Sequence, residues 1–293
     1  MSVRIPWRVG AAVASFVMAA SGCTISTADE KASTPGDDSD IALPADIAKA
    51  GTFDVAAFYN YPPYTEVKDG QLSGIEYDLI NAVADELGVK ARFHNLAFEA
   101  MIPSIVNKRN DVMIGALADT PDRRDEVSFV DVFSADLGVI VKAGNPKGVT
   151  AELCGHTSID AAGNYQQHVV KKMSKECVAD GKKPIKQIVI SDPGAAFLGV
   201  VNGRADFTLQ APGVAVYTAK TNAGVDLLKE RVTPRPKQVN GWIVAKNNTE
   251  LQHAFGKAIN NLIQDGTWQK LMAKYGLDKS ALKQSLINGK PVE

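Results

Sequence analysis

Residues 115–129 read GALADTPDRRDEVSF, and they hold the side chain with the clearest chemical use in the chain. A strand at 111–116 passes into small residues, and Thr120-Pro121 then opens a short helix. Proline suits the first helical position, where its missing N–H would have no partner anyway. Arg123 stands in the first turn of that helix, with Asp119, Asp122, Asp125 and Glu126 close by. Two uses of this arginine are open. It forms a surface ion pair with Asp119 or Glu126, or its planar fork joins the unpaired N–H groups of the turn to hold an anion such as a ligand carboxylate.

The elements that must position Arg123 alternate. Residues 52–58 read as a strand, and Ile75, Leu79, Val83 and Leu87 recur every four residues, which predicts an amphipathic helix over 75–87. A strand at 90–96 and a helix at 98–108, apolar at Met101, Ile102, Ile105 and Val106, lead to the strand at 111–116. Such a series implies right-handed crossovers and a parallel sheet covered by helices. A second series starts after residues 136–144: a strand at 155–163, a helix at 164–179, a strand at 185–190, a helix at 192–203 and a strand at 205–210. Pro234 and Pro236 separate it from a closing strand at 241–246 and a helix at 249–264, apolar at Leu251, Phe255, Ile259 and Leu262. Two α/β lobes joined at two crossings leave a cleft between them, a usual place for a small ligand.

The ends read differently. Arg4 and Arg8 precede an apolar run from Val9 to Ala20, too short to span a bilayer, as in an export signal over residues 1–22. AASGC then resembles the lipobox of bacterial lipoproteins, with Cys23 as the lipidated residue, although Ala20 stands where that motif usually carries Leu. An ordinary secretory signal cleaved nearby is the alternative. Residues 23–46 are mostly small and polar and read as a flexible tether. The formal charge is −1, or −3 once Arg4 and Arg8 are removed, so no basic footprint for nucleic acid is present. Cys154 and Cys177 remain as an even pair in an exported chain and are most economically a disulfide. Four scattered histidines (His94, His156, His168 and His253) offer no metal-ligand spacing, so neither a metal nor a cofactor is expected.

Four segments in this order resemble the bacterial extracellular solute-binding proteins, family 3, the polar amino acid type that serves ABC importers. They are YPPYTEVKDGQLSGIEYDLINAVADELGV, FEAMIPSIVNKRNDVMIGALADTPDRRDEVSF, GRADFTLQAPGVAVY and GWIVAKNNTELQHAFGKAINNLIQDGTWQKLMAKYG. ELCG with the later Cys177 looks like the actinobacterial branch, whose members are lipoproteins. The resemblance implies an α/β, two-lobed, periplasmic-binding-protein-like (Venus-flytrap) fold of type II with two hinge crossings. Lobe one would comprise 47–134 plus 241–277 and lobe two 137–237, with 278–293 a C-terminal tail. Hinges would fall near Ser134–Asp136 and Pro236–Asn240.

In that family the arginine of the TPxR turn grips the ligand's α-carboxylate, which implies this role for Arg123. Backbone groups at Ala116 and Ala118 would assist, though many relatives carry hydroxyl side chains there. Gly163-Asn164-Tyr165 matches a Gly-Thr-Thr turn, so the Tyr165 N–H would serve the carboxylate while its ring alters the pocket. Tyr61 and Phe98 match the aromatics that sandwich the ligand side chain. Many relatives place an ammonium-binding aspartate where this chain has Ala211, flanked by Gln210 and Pro212. Burying an ammonium without a counter-charge is costly. Either Glu66 or Glu99 replaces that acid, or the ligand is a cyclic, N-alkylated or otherwise blocked zwitterion.

The function implied is capture of an amino acid or similar zwitterion for delivery to the permease and ATPase subunits of an ABC importer, by a monomer anchored to the outer membrane face. Two other readings remain. One is an enzyme of the same fold, cyclohexadienyl dehydratase-like, which would need a general acid or base in the cleft. The other is a ligand-sensing lipoprotein that signals through a separate partner.

Overall fold

The computed structural model describes residues 41–134, 136–162, 164–191, 195–233 and 239–292, apart from the side chain of Phe98. The expected signal, Cys23 and most of the tether therefore lie outside the described residues.

The first part of the chain opens with α1 (Ala45–Ala50) and β1 (Thr52–Ala57). A small antiparallel sheet follows, made of β2 (Asn60–Tyr61), β3 (Thr65–Lys68) and β4 (Gln71–Ser73). Next come α2 (Ile75–Glu86), β5 (Lys90–Asn95), α3 (Phe98–Val106) and β6 (Val112–Ala118). The arginine turn forms α4 (Pro121–Arg124), and β7 (Val127–Ser134) ends this part.

The second part holds β8 (Leu137–Lys142), β9 (Thr157–Ala161), α5 (Tyr165–Ala179) and β10 (Lys186–Ile190). It continues with α6 (Ala196–Val201), β11 (Phe207–Gln210), α7 (Pro212–Thr221) and β12 (Val225–Val232). The chain returns through β13 (Val239–Ala245), α8 (Thr249–Gln264), α9 (Thr267–Lys274), β14 (Ala281–Ile287) and β15 (Lys290–Pro291).

Among the described residues these strands form a seven-stranded sheet, ordered β15-β14-β7-β13-β6-β1-β5, and a five-stranded one, ordered β10-β9-β11-β8-β12. The fold is thus α/β and two-lobed, with the chain passing between the sheets twice, after β7 and after β12. The expected hinges fall at these passages, where Ala135 and residues 234–238 lie outside the described residues.

The parallel sheet expected from the alternation is only part of lobe one. β5, β1 and β6 are parallel, but β13, β7 and β14 run antiparallel beside them. The chain returns from lobe two rather than through a crossover helix, so β13 enters between β6 and β7 from the opposite direction. Within the expected tail at 278–293, residues 278–292 fold onto lobe one instead: β14 pairs with β7, and Asn288 donates its N–H to the Phe129 carbonyl at 3.0 Å.

Alternation along each strand supplies both faces of the sheet, as a two-residue period requires. Phe53, Val55, Trp242 and Val244 pack beneath α2, α8 and α9, whereas Ala56, Met113 and Ile243 meet Met101 and Ile105 of α3. Lobe two repeats the plan, with Val139, Val141, Phe207 and Leu209 against α5 and Ile140 and Ile159 against α6 and α7. Cys154 and Cys177 are bonded, with Cα atoms 5.7 Å apart, and pin the segment before β9 to the end of α5.

Candidate functional site

The arginine turn resolves into two unlike neighbours. Arg124 takes the acid: its Nε and Nη2 donate to the Asp119 carboxylate at 2.5 and 2.7 Å, and the Asp119 side chain is fully buried. Arg123 is half-buried and donates from Nη1 to the Ala118 carbonyl at 2.7 Å. Among the described residues no carboxylate pairs with it. Burial pulls its pKa down from the ordinary value, as expected where a cation loses water without gaining an anion. Thr120 caps this four-residue helix and Pro121 stands at its first position, which explains where the turn begins. The ion-pair alternative for Arg123 is therefore taken up by Arg124.

Within β6, Gly115 and Ala116 adopt φ values of 151° and 52°. The second is unusual for a residue with a Cβ. The Ala116 N–H donates to Glu76 Oε1 at 3.0 Å, so this backbone donor is already committed within lobe one. Glu76 is fully buried on the first turn of α2, and burial pushes its carboxyl up to about 7. Backbone N–H groups of Ala116 and Gly115, with the Trp242 indole nearby, offset that burial only in part. Glu76 was not singled out in the sequence. Its signal was available, because positions 76, 79, 80 and 83 share a helical face and the last three are apolar.

Tyr61 ends β2 and is half-buried, its ring stacked on Tyr64 with centroids 5.1 Å apart. Burial, with the Glu76 charge adding to it, pushes the Tyr61 hydroxyl up to about 12. Tyr61, Ala116 and Ala211 all border the same lobe-one core, so residues of both lobes meet there. Ala211 caps the N-terminus of α7, and the neighbouring Gln210 donates to Thr208 Oγ1 at 3.3 Å.

The remaining candidates stand elsewhere. Tyr165 opens α5 and packs with Cys154 and Met173 of the lobe-two core, lining a groove of about 890 Å³ beside the disulfide. Asn164 caps α5, accepting the Gln167 N–H at 2.7 Å. Gly163 and the Phe98 side chain lie outside the described residues. Of the two acids expected to replace the missing aspartate, Glu99 is exposed on α3, and Glu66 lies on β3 near Tyr275.

Two α/β lobes, and in lobe one a half-buried arginine that no carboxylate pairs with among the described residues, are the features of a binding protein for a small solute. Residues 53–278 match the model of the bacterial extracellular solute-binding proteins, family 3, and the chain belongs to that family. It is similar to the arginine-binding protein ArgT of Corynebacterium glutamicum, 24% identical over 254 residues covering 85% of this chain and 82% of that one. A solved ancestral arginine-binding protein bound to arginine is 29% identical with a TM-score of 0.59, over 77% of this chain and 98% of that one. An ancestral amino acid-binding protein described as a precursor of cyclohexadienyl dehydratase is 26% identical with a TM-score of 0.60, over 78% and 97%.

Proposed function

We infer that the chain is the solute-binding component of an ABC importer and that it holds an amino acid, or an amino-acid-like zwitterion, between its lobes. One observation carries the reading: Arg123 is partly desolvated and has no carboxylate partner among the described residues, while the adjacent Arg124 already has Asp119. A planar guanidinium in that state suits the carboxylate that every amino acid presents. Tyr61 and Phe98 would bracket the ligand side chain, and Ala118, Gln210 and Ala211 would line the remainder, while Tyr165 faces the groove beside the disulfide. The arginine-binding relatives favour a cationic amino acid, and Glu76 is the buried acid that borders Tyr61. With Ala211 in the aspartate position, a blocked amine remains the alternative ligand class.

On this reading Cys23 carries a lipid anchor, residues 24–44 tether the monomer at the outer face of the membrane, and the permease receives the solute. No described helix is long and apolar enough to cross a membrane. A thermal-shift panel of arginine, other amino acids, N-methylated and cyclic derivatives and small betaines tests it. A ligand at about a hundred times its dissociation constant adds about 2.7 kcal/mol. Silence across the panel, or a shift that survives in Arg123→Ala, overturns the reading.

Catalysis is the second reading, favoured by the dehydratase precursor and by a buried acid whose pKa lies near 7. Glu76→Gln would then abolish turnover of a bound ligand without abolishing its binding.

A further inference from the structure

α7 belongs to lobe two, yet one side of it packs on lobe one. Ala211, Val214 and Val216 lie against the lobe-one core, while Ala215 is buried within lobe two. At its start Pro212 has no N–H, and the Gly213 N–H is one of the donors that a helix N-terminus leaves without an internal partner. That N–H donates to the Tyr64 hydroxyl at 3.0 Å, a buried hydrogen bond across the lobes. Tyr64 is fully buried and held between two rings, Tyr61 at 5.1 Å and Phe133 at 5.9 Å. Phe133 is the penultimate residue of β7, next to the first passage between lobes.

The other half of the contact is the absence of a side chain. A Cβ on Gly213 would stand 2.8 Å from Tyr64 Cζ, 3.0 Å from its hydroxyl and 3.2 Å from Pro63 Cγ. Tyr64 has no room to yield, so any side chain at 213 pushes α7 off lobe one. The residue types therefore match across the lobes: a hydroxyl that accepts and a glycine that lets it approach.

We propose that Tyr64 is a positioning residue for solute binding: its hydroxyl, seated on Gly213, ties the N-terminus of α7 to the Tyr61 wall and so sets how the two sides of the cleft stand to each other. Tyr64 thereby couples Tyr61 on lobe one to the Ala211 end of α7 on lobe two through one buried ring. Tyr64 itself needs no contact with solute.

The test uses the full chain. Amide exchange at Gly213, followed by NMR without ligand, reads the tie directly, because nothing within α7 protects that N–H. Wild type is expected to protect it, and Tyr64→Phe, which keeps the ring and removes the acceptor, to exchange at least about tenfold faster there while later α7 amides hold. Gly213→Ala, which wedges the lobes, is expected to weaken solute affinity by about tenfold or more, and Tyr64→Phe by about fivefold. Equal Gly213 exchange in wild type and Tyr64→Phe overturns the proposal, as does unchanged affinity in both variants. The affinity arm rests on the proposed function. If no panel compound binds wild type, that function fails, while the exchange comparison still decides the tie by itself.

Discussion

Glu76→Gln removes a titration and little else, so it isolates what burial does to this acid. The amide oxygen of Gln keeps an acceptor for the Ala116 N–H, which Glu76 now holds at 3.0 Å. Burial lifts the Glu76 carboxyl from an ordinary 4.5 to about 7, and in the unfolded chain it titrates near the ordinary value. Between these pH values the folded state binds the extra proton. Stability is therefore fully present below about pH 4.5 and is lost as pH rises through about 7. A rise of that size corresponds to about 3 kcal/mol once both states are ionised. Chemical denaturation of wild type and Glu76→Gln across this range should show the variant gaining on wild type by about that amount between acid and alkaline ends. A stability difference that stays constant with pH would refute burial as the origin of the raised Glu76 pKa.

Asp131 is fully buried, and burial, with Asp119 adding to it, pushes its carboxyl up to about 8. Stability should fall as pH rises from about 4 through about 8, and Asp131→Asn should lessen that fall in melting curves. Arg124→Ala strands the buried Asp119 carboxylate and should cost about 2 kcal/mol or more, while Arg123→Ala should change stability by less than about 1 kcal/mol in the same denaturation assay. Breaking the Cys154–Cys177 bond releases a loop of 23 residues and should cost about 3 kcal/mol, measured after reduction or in the paired alanine variant.

Much of the frame was legible because it is written in period. Four-residue spacing in α2 and α8 and apolar runs at β1, β6 and β9 follow from burying one helical face or both strand faces, and those elements stand within a few residues of their expected places. β7 escaped notice because VSFVDVFS buries every residue, polar ones included, so no alternation marks it. α7 and β12 carry little signal for related reasons: α7 has a weak apolar stripe and is buried on two sides, and β12 exposes three of its eight residues without alternation. The β14 strand was hidden in a terminal segment whose lysines and glutamine read as solvated, yet Ser285 is fully buried against β7. At the site, a local motif marked Arg123, but its freedom depends on Arg124 taking Asp119, a choice between adjacent arginines that spacing does not encode. Glu76 and Tyr64 act through partners 40 and 149 residues away, Ala116 and Gly213, and such pairings appear only in three dimensions.

Whether Arg123 holds a ligand carboxylate is decided by calorimetry on wild type and Arg123→Ala with two probes, L-arginine and its decarboxylated analogue agmatine, which keeps the guanidinium but lacks the carboxylate. If arginine is a ligand, wild type should bind it at least about a hundredfold more tightly than agmatine, a desolvated charge-assisted pair being worth about 3 kcal/mol. Arg123→Ala should lose a similar factor for arginine and little for agmatine. Equal affinity of wild type for the two probes, or unimpaired arginine binding by Arg123→Ala, would contradict the role assigned to this arginine.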